Sequence, residues 1–134
     1  MSPPNPSATP QVAVVVIAHG SRTDGANVAH QELATGLQTR VGHPVIAAFL
    51  ELATPSIVDG IDQAVATGAQ VVVVVPYFLH PGRHQSEDVP RLVDEARRTR
   101  PDVDVRLLDL FGADPELLDV LASQVDRARR VEES

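Results

Sequence analysis

The stretch Val12-Ala13-Val14-Val15-Val16-Ile17-Ala18, followed at once by His19-Gly20-Ser21-Arg22, decides how this chain reads. Seven apolar, mostly β-branched residues without a charge suit a strand of a parallel sheet buried on both faces. An imidazole just beyond such a strand stands on the rim where open α/β sheets keep their ligand sites. A second run, Val71 to Val75, leads in the same way to Pro81-Gly82-Arg83-His84. Outward from these two, apolar runs alternate with helix-period segments, giving strands near 12–18, 45–50, 71–78 and 103–109 with helices between and after them. The βαβα rhythm predicts a single α/β domain with a four-stranded parallel sheet flanked by helices. The first two strands, nearly free of charge, read as buried on both faces, whereas Val103-Asp104-Val105-Arg106-Leu107 alternates as an edge strand should.

Helix boundaries have local causes. Gly42 and Pro44 stop the first helix, which opens near Asp24 or Asn27 and carries Leu33, Leu37 and Val41. Thr54-Pro55 reads as N-cap and first residue of the second helix, with Ile57, Val58, Ile61 and Val65 as its stripe and Gly68 as its left-handed stop. Ser86 or Asp88 is expected to cap the third, leaving Pro90 in the first turn, where its missing N–H costs little. Asp114-Pro115 repeats the punctuation before Leu118, Leu121, Val125 and Ala128.

Composition narrows the function classes. At 134 residues the chain suits one domain. Residues 1–11, with Pro3, Pro4, Pro6 and Pro10, cannot bury a core and are expected to form a disordered tail, so the domain spans 12–134. No cysteine is present, so any metal must be held by nitrogen or oxygen donors. Eleven basic against eighteen acidic side chains give a net charge of −7, which argues against nucleic acid as a partner. The apolar runs are too short to span a membrane, and Met1 to Gln11 lacks a signal-peptide pattern, so a cytoplasmic protein is expected. There is no P-loop, no dinucleotide fingerprint after the first strand and no nucleophile elbow. ATP, NAD and serine hydrolysis are therefore not indicated.

Right-handed crossovers point all four strands one way, so the loops after them share one rim. His19 lies past the first strand, Glu51 at the end of the second, and His84 in the loop after the third, so the three are expected to converge on one crevice. Ser21, Arg22 and the N-terminus of the next helix add donors beside His19. A plainer reading makes His19 a loop-bonding residue and Glu51 a loop cap. His80 and His84 have i, i+4 spacing, but Pro81-Gly82 between them opposes a shared helix. His30 and His43 read as solvated surface histidines.

The segments Ile17 to Arg22, Ala48-Phe49-Leu50-Glu51-Leu52, Val74-Val75-Pro76-Tyr77-Phe78-Leu79 and Gly82-Arg83-His84, with Asp88-Val89-Pro90 beyond, together resemble the small sirohydrochlorin chelatases of the CbiX and SirB type. The likeness spans about residues 12 to 95, in a flavodoxin- or chelatase-like fold. It implies insertion of a divalent metal, cobalt, ferrous iron or nickel, into sirohydrochlorin without ATP, for cobalamin or siroheme synthesis. No permanently bound cofactor is implied; the metal is a substrate. The family's two metal-site histidines match His19 and His84, and its glutamate matches Glu51. Metallation removes two pyrrole protons, which suits neutral imidazoles and a carboxylate. Ser21, Arg22, Arg83 and Arg91 are then the groups available to hold the substrate's carboxylates. His80 and Leu110-Phe111-Gly112 depart from the family pattern. A homodimer is implied too, since one sheet offers one wall for so wide a substrate. A metal or tetrapyrrole carrier with the same histidines, and a flavodoxin-like regulatory domain, remain the alternatives.

Overall fold

In a computed structural model of the chain, residues 9–133 are described, with the side chains of His84 and of residues 131–133 outside the description. The expected tail falls mostly on residues 1–8, which also lie outside the described residues. The elements run β1 (Val12–Ala18), α1 (Asp24–Val41), β2 (Val45–Phe49), α2 (Ile57–Ala66), β3 (Val71–Pro76), α3 (Arg83–Thr99), β4 (Asp104–Leu107), a short 3₁₀ turn (Phe111–Ala113) and α4 (Glu116–Glu133). The sheet is parallel throughout, in the order β2-β1-β3-β4. Strand order reverses after β2, so α1 lies on one face and α2 and α3 on the other. The reversal opens a crevice at the carboxyl ends of β1 and β3, the usual ligand position in such sheets.

The core is one-sided. Ala13, Val15 and Ile17 of β1 and Val72 and Val74 of β3 meet Ile57, Ile61 and Ala64 of α2 and Val89, Val93 and Ala96 of α3. Gly60 lets α2 come close, because a Cβ there would stand 2.9 Å from Ala48 Cβ. Val14, Val16, Val73 and Val75 point to the α1 face.

Four expectations need correction. The second strand is not buried on both faces: β2 is an edge, half-exposed over Val45 to Ala47, and β3 is the other central strand. An apolar run reports low polarity, and strand order decides which run is covered. The second helix starts at Ile57, because the Ser56 hydroxyl accepts the Asp59 N–H (3.2 Å) while the Pro55 carbonyl accepts from Phe49 N–H. The residues before Ser56 thus extend pairing at the end of β2. The third helix starts at Arg83 and holds Pro90 in its interior rather than its first turn. Burial of Val89, Val93 and Ala96 along one face outweighs the one missing hydrogen bond. His84 is consequently a first-turn helical residue, not a loop residue.

The other corrected residue is His30. It is 5% exposed, not solvated, and packs edge-on against Phe49 with ring centroids 5.2 Å apart. Its Nε2 donates to the Val16 carbonyl at 3.0 Å in the tautomer that satisfies both groups. His43 is exposed, as expected.

Candidate active site

Backbone pairing sets the site. The β1–β2 ladder ends at Ala18 and Phe49 but its hydrogen bonding continues: Leu50 N–H donates to Ala18 O (2.9 Å) and Glu51 N–H to His19 O (3.0 Å). Side chains of the two post-strand residues are thereby brought level. His19 Nε2 lies 3.1 Å from Glu51 Oε1, both side chains about half exposed at 50% and 56%. Gly20 makes this approach possible. Its φ is +100°, and a Cβ there would overlap the Glu51 carbonyl oxygen. Leu52, the residue after Glu51, also has a positive φ of 67°, a sparsely populated conformation for leucine, so both segments bend sharply where they meet.

Around the pair is a cleft of about 480 Å³ lined by His19, Leu50, Glu51, Asp88, Arg91 and Leu92. It mixes one imidazole, two carboxylates and a guanidinium with two leucines. Arg91 reaches Asp88 at 3.4 Å, so it both lines the cleft and is partly neutralised within it. His84 stands one turn before Asp88 on the same helix; its side chain lies outside the described residues. The structure therefore brings two of the three expected residues together and sets the third residue's helix against them.

The remaining expected residues differ in setting. Ser21 shapes the entry to α1: its N–H donates to Asn27 Oδ1 (3.0 Å), its carbonyl accepts from Asn27 Nδ2 (2.7 Å), and its hydroxyl lies 2.7 Å from that of Thr23. Arg22 and Arg83 are exposed beside the rim. His80 is exposed in the bend before α3 and shares no helix with His84. Sequence reasoning missed Asn27 as the organiser of this loop and His30 beneath it. His30 had a signal: with Ala34, Leu37 and Val41 it continues the apolar face of α1 by one turn. Burial holds its imidazole below the ordinary histidine pKa, against the opposing effect of backbone hydrogen bonds. Among the described residues no three His, Asp or Glu side chains form a metal cage, and no helix is long and apolar enough to cross a membrane.

This parallel fold, with a histidine on the rim at its switch point and a glutamate beside it past the neighbouring strand, is that of a chelatase-type α/β domain. The family model CbiX matches residues 13–128, and the chain belongs to that family. It is 34% identical over 113 residues, 84% of its length, to a chloroplastic sirohydrochlorin ferrochelatase of Arabidopsis thaliana, of which it spans half. It is 24% identical over 139 aligned residues to a sirohydrochlorin cobaltochelatase of Methanothermobacter thermautotrophicus, spanning 97% of that protein. A CbiX protein structure from Marinobacter aquaeolei superposes with a TM-score of 0.73 at 28% identity, covering 92% of this chain and 99% of that one. The sirohydrochlorin chelatase SirB of Bacillus subtilis, in complex with cobalt, superposes at 0.75 with 27% identity, covering 87% of this chain and half of that one.

Proposed function

We propose that this chain inserts a divalent metal, cobalt or ferrous iron, into sirohydrochlorin in the cytoplasm, without ATP. The observation that carries the reading is the His19–Glu51 pair, held level by continued β1–β2 pairing in an open cleft of a CbiX-family domain. Relatives named as ferrochelatase and as cobaltochelatase support sirohydrochlorin as the common substrate. Insertion exchanges one divalent cation for two pyrrole protons, so the site must present the metal and accept protons. The imidazole of His19 offers one nitrogen donor to the incoming ion, and His84 on α3 is the second. Glu51, 3.1 Å from His19, receives a proton directly or through the imidazole. A half-exposed pair suits an ion that must be released into the ring instead of being kept.

The macrocycle's carboxylates are anchored by Arg91 in the cleft and by Arg22 and Arg83 on its border. Binding energy from those remote groups is available to bend the ring toward the metal. The active unit is a homodimer, because one cleft gives one wall. The length of one solved relative fits this reading: the chain covers half of SirB, which leaves room there for a second unit of this size.

Absorbance during incubation of purified protein with sirohydrochlorin and cobalt or ferrous iron tests the reading. Accelerated metallation is expected, and His19→Ala or His84→Ala should lower it by about two orders of magnitude or more, with the circular dichroism spectrum unchanged. His80→Ala should keep most of the turnover with both metals. Near-normal rates in both His19→Ala and His84→Ala would remove the mechanism. Tight metal binding without turnover by the wild type would make the protein a carrier instead.

A further inference from the structure

α4 has no substantial packing partner among the described residues. Yet it is amphipathic: Leu118, Leu121 and Val125 recur at i, i+3 and i+7, and they stand 72%, 55% and 70% exposed. An 18-residue helix with an unburied stripe is marginal in water on its own. On the α1 face of the sheet lies the complementary vacancy, an apolar groove of about 670 Å³ whose floor is Val14, Val16, Val73 and Val75 and whose wall includes Leu33 and Leu37. Tyr77 and Phe111, with rings 5.0 Å apart, close its upper end beneath the rim. One chain thus carries both an uncovered helix stripe and an uncovered groove.

The connection that leads into α4 is short and fixed. Leu108 N–H donates to Val74 O (3.0 Å) and Gly112 N–H to Phe78 O (2.8 Å), while Gly112 packs so closely on the Leu79 backbone that a Cβ would overlap it. The chain is pinned to the end of β3 up to Ala113. Only Asp114 and Pro115 remain before α4, and the Asp114 carboxylate accepts the Glu116 N–H at 2.9 Å, fixing the helix start. We infer that two copies exchange α4 reciprocally, each laying its Leu118, Leu121 and Val125 stripe into the α1-face groove of the other. Such an exchange is isologous and closes under a two-fold axis. It extends the dimeric assembly proposed above by naming the element that makes it.

Mass measured by light scattering on the full chain, with neither metal nor tetrapyrrole present, tests the exchange separately from turnover. The wild type should show twice the 14.3 kDa of one chain. Leu118→Asp/Leu121→Asp/Val125→Asp should run as a single chain that keeps the wild-type circular dichroism spectrum, because those side chains stand largely exposed in their own domain. Gly36→Trp is the second variant: Gly36 lines the groove and a Cβ there meets nothing within 4 Å, so a large side chain starts from open space at the groove and is expected to occupy it. It too should run as a single chain, which decides the matter if the triple variant fails to fold. Mixing the two variants should restore a two-chain species, since one retains a free groove and the other an intact α4. A dimer that persists in both variants places the interface elsewhere and overturns the inference. So does a single-chain wild type, above all one whose unfolding midpoint drops in the triple variant, because α4 then folds onto its own groove.

Discussion

Gly20 lies against the Glu51 backbone, and His30 is buried against Val16 and Phe49, residues of the strands that lead to His19 and Glu51. Gly20→Ala asks for a side chain at φ +100° where the Glu51 carbonyl already stands. The expected cost is about 2 kcal/mol or more, read by urea denaturation, with loss of metallation beyond that of a merely less stable protein. Gly25→Ala, whose Cβ meets nothing within 4 Å in the first turn of α1, should instead be neutral or stabilising by about 0.5–1 kcal/mol. Equal effects from the two substitutions would contradict the close approach at Gly20. His30 makes stability depend on pH. Its folded pKa lies below the unfolded value of about 6.5, so as pH falls through that value the unfolded chain takes up a proton that the folded chain refuses. Its contribution is complete above about pH 6.5 and declines below it, by at most about 1.4 kcal/mol per pH unit. His30→Gln removes this term. The stability gap between wild type and variant should therefore narrow as pH falls from about 7.5 to about 5.5, roughly one unit either side of the unfolded value, and parallel curves would count against a neutral buried imidazole.

At the scale of elements, α2 is the part most tightly fitted to the sheet. Ile57, Ile61 and Ala64 are fully buried, and Gly60 lets the helix approach Ala48 and Val15. Ile61→Ala should cost about 2–5 kcal/mol with an unchanged denaturant slope, whereas a shift below about 1 kcal/mol would mean that the site collapses around the deletion. Ser56→Ala tests the corrected helix start and should cost about 0.5–2 kcal/mol, while Thr54→Ala should cost little. The far edge is guarded differently: Arg97 of α3 donates through Nε and Nη2 to the Val105 carbonyl at 3.1 and 2.8 Å, occupying an acceptor on β4. Strand positions were legible because β-branched runs have few other uses. Helix starts were legible only where one cap had no rival, as at Asp114. At Thr54-Pro55-Ser56 two hydroxyls competed, and the winner followed from pairing between Pro55 and Phe49, residues that meet only in the fold.

For the whole molecule the relevant variable is concentration. If the cleft of one copy needs the other to enclose the macrocycle, turnover per chain should fall on dilution in step with the loss of the two-chain species. A full rate from single chains would show that one wall suffices. On the proposed reading, salt should weaken substrate binding more than metal handling, since the anchoring roles proposed for the exposed Arg22, Arg83 and Arg91 rest on charge that ions screen, while His19 and Glu51 stand at contact distance. That difference is read as a rise in KM for sirohydrochlorin with little change in kcat.

By itself the sequence determined four parallel strands, the shared rim, and the placing of His19 and Glu51 on it, because period, punctuation and the hand of the crossover are local or nearly local properties. It also carried the family, through four short motifs in one order. Only the tertiary structure decided that β2 is an edge, that α3 begins at Arg83, and that α4 stands off from a groove of matching character. Each of these depends on which surface meets which. Val45 to Phe49 and Val71 to Val75 are alike in hydropathy, and Leu118 to Val125 reads as a core-facing stripe whether or not its own chain supplies the core. Apolar patterning states that a face must be covered; what covers it is settled by strand order, by the pinned turn at Gly112, and by the space left above Val73 and Val75.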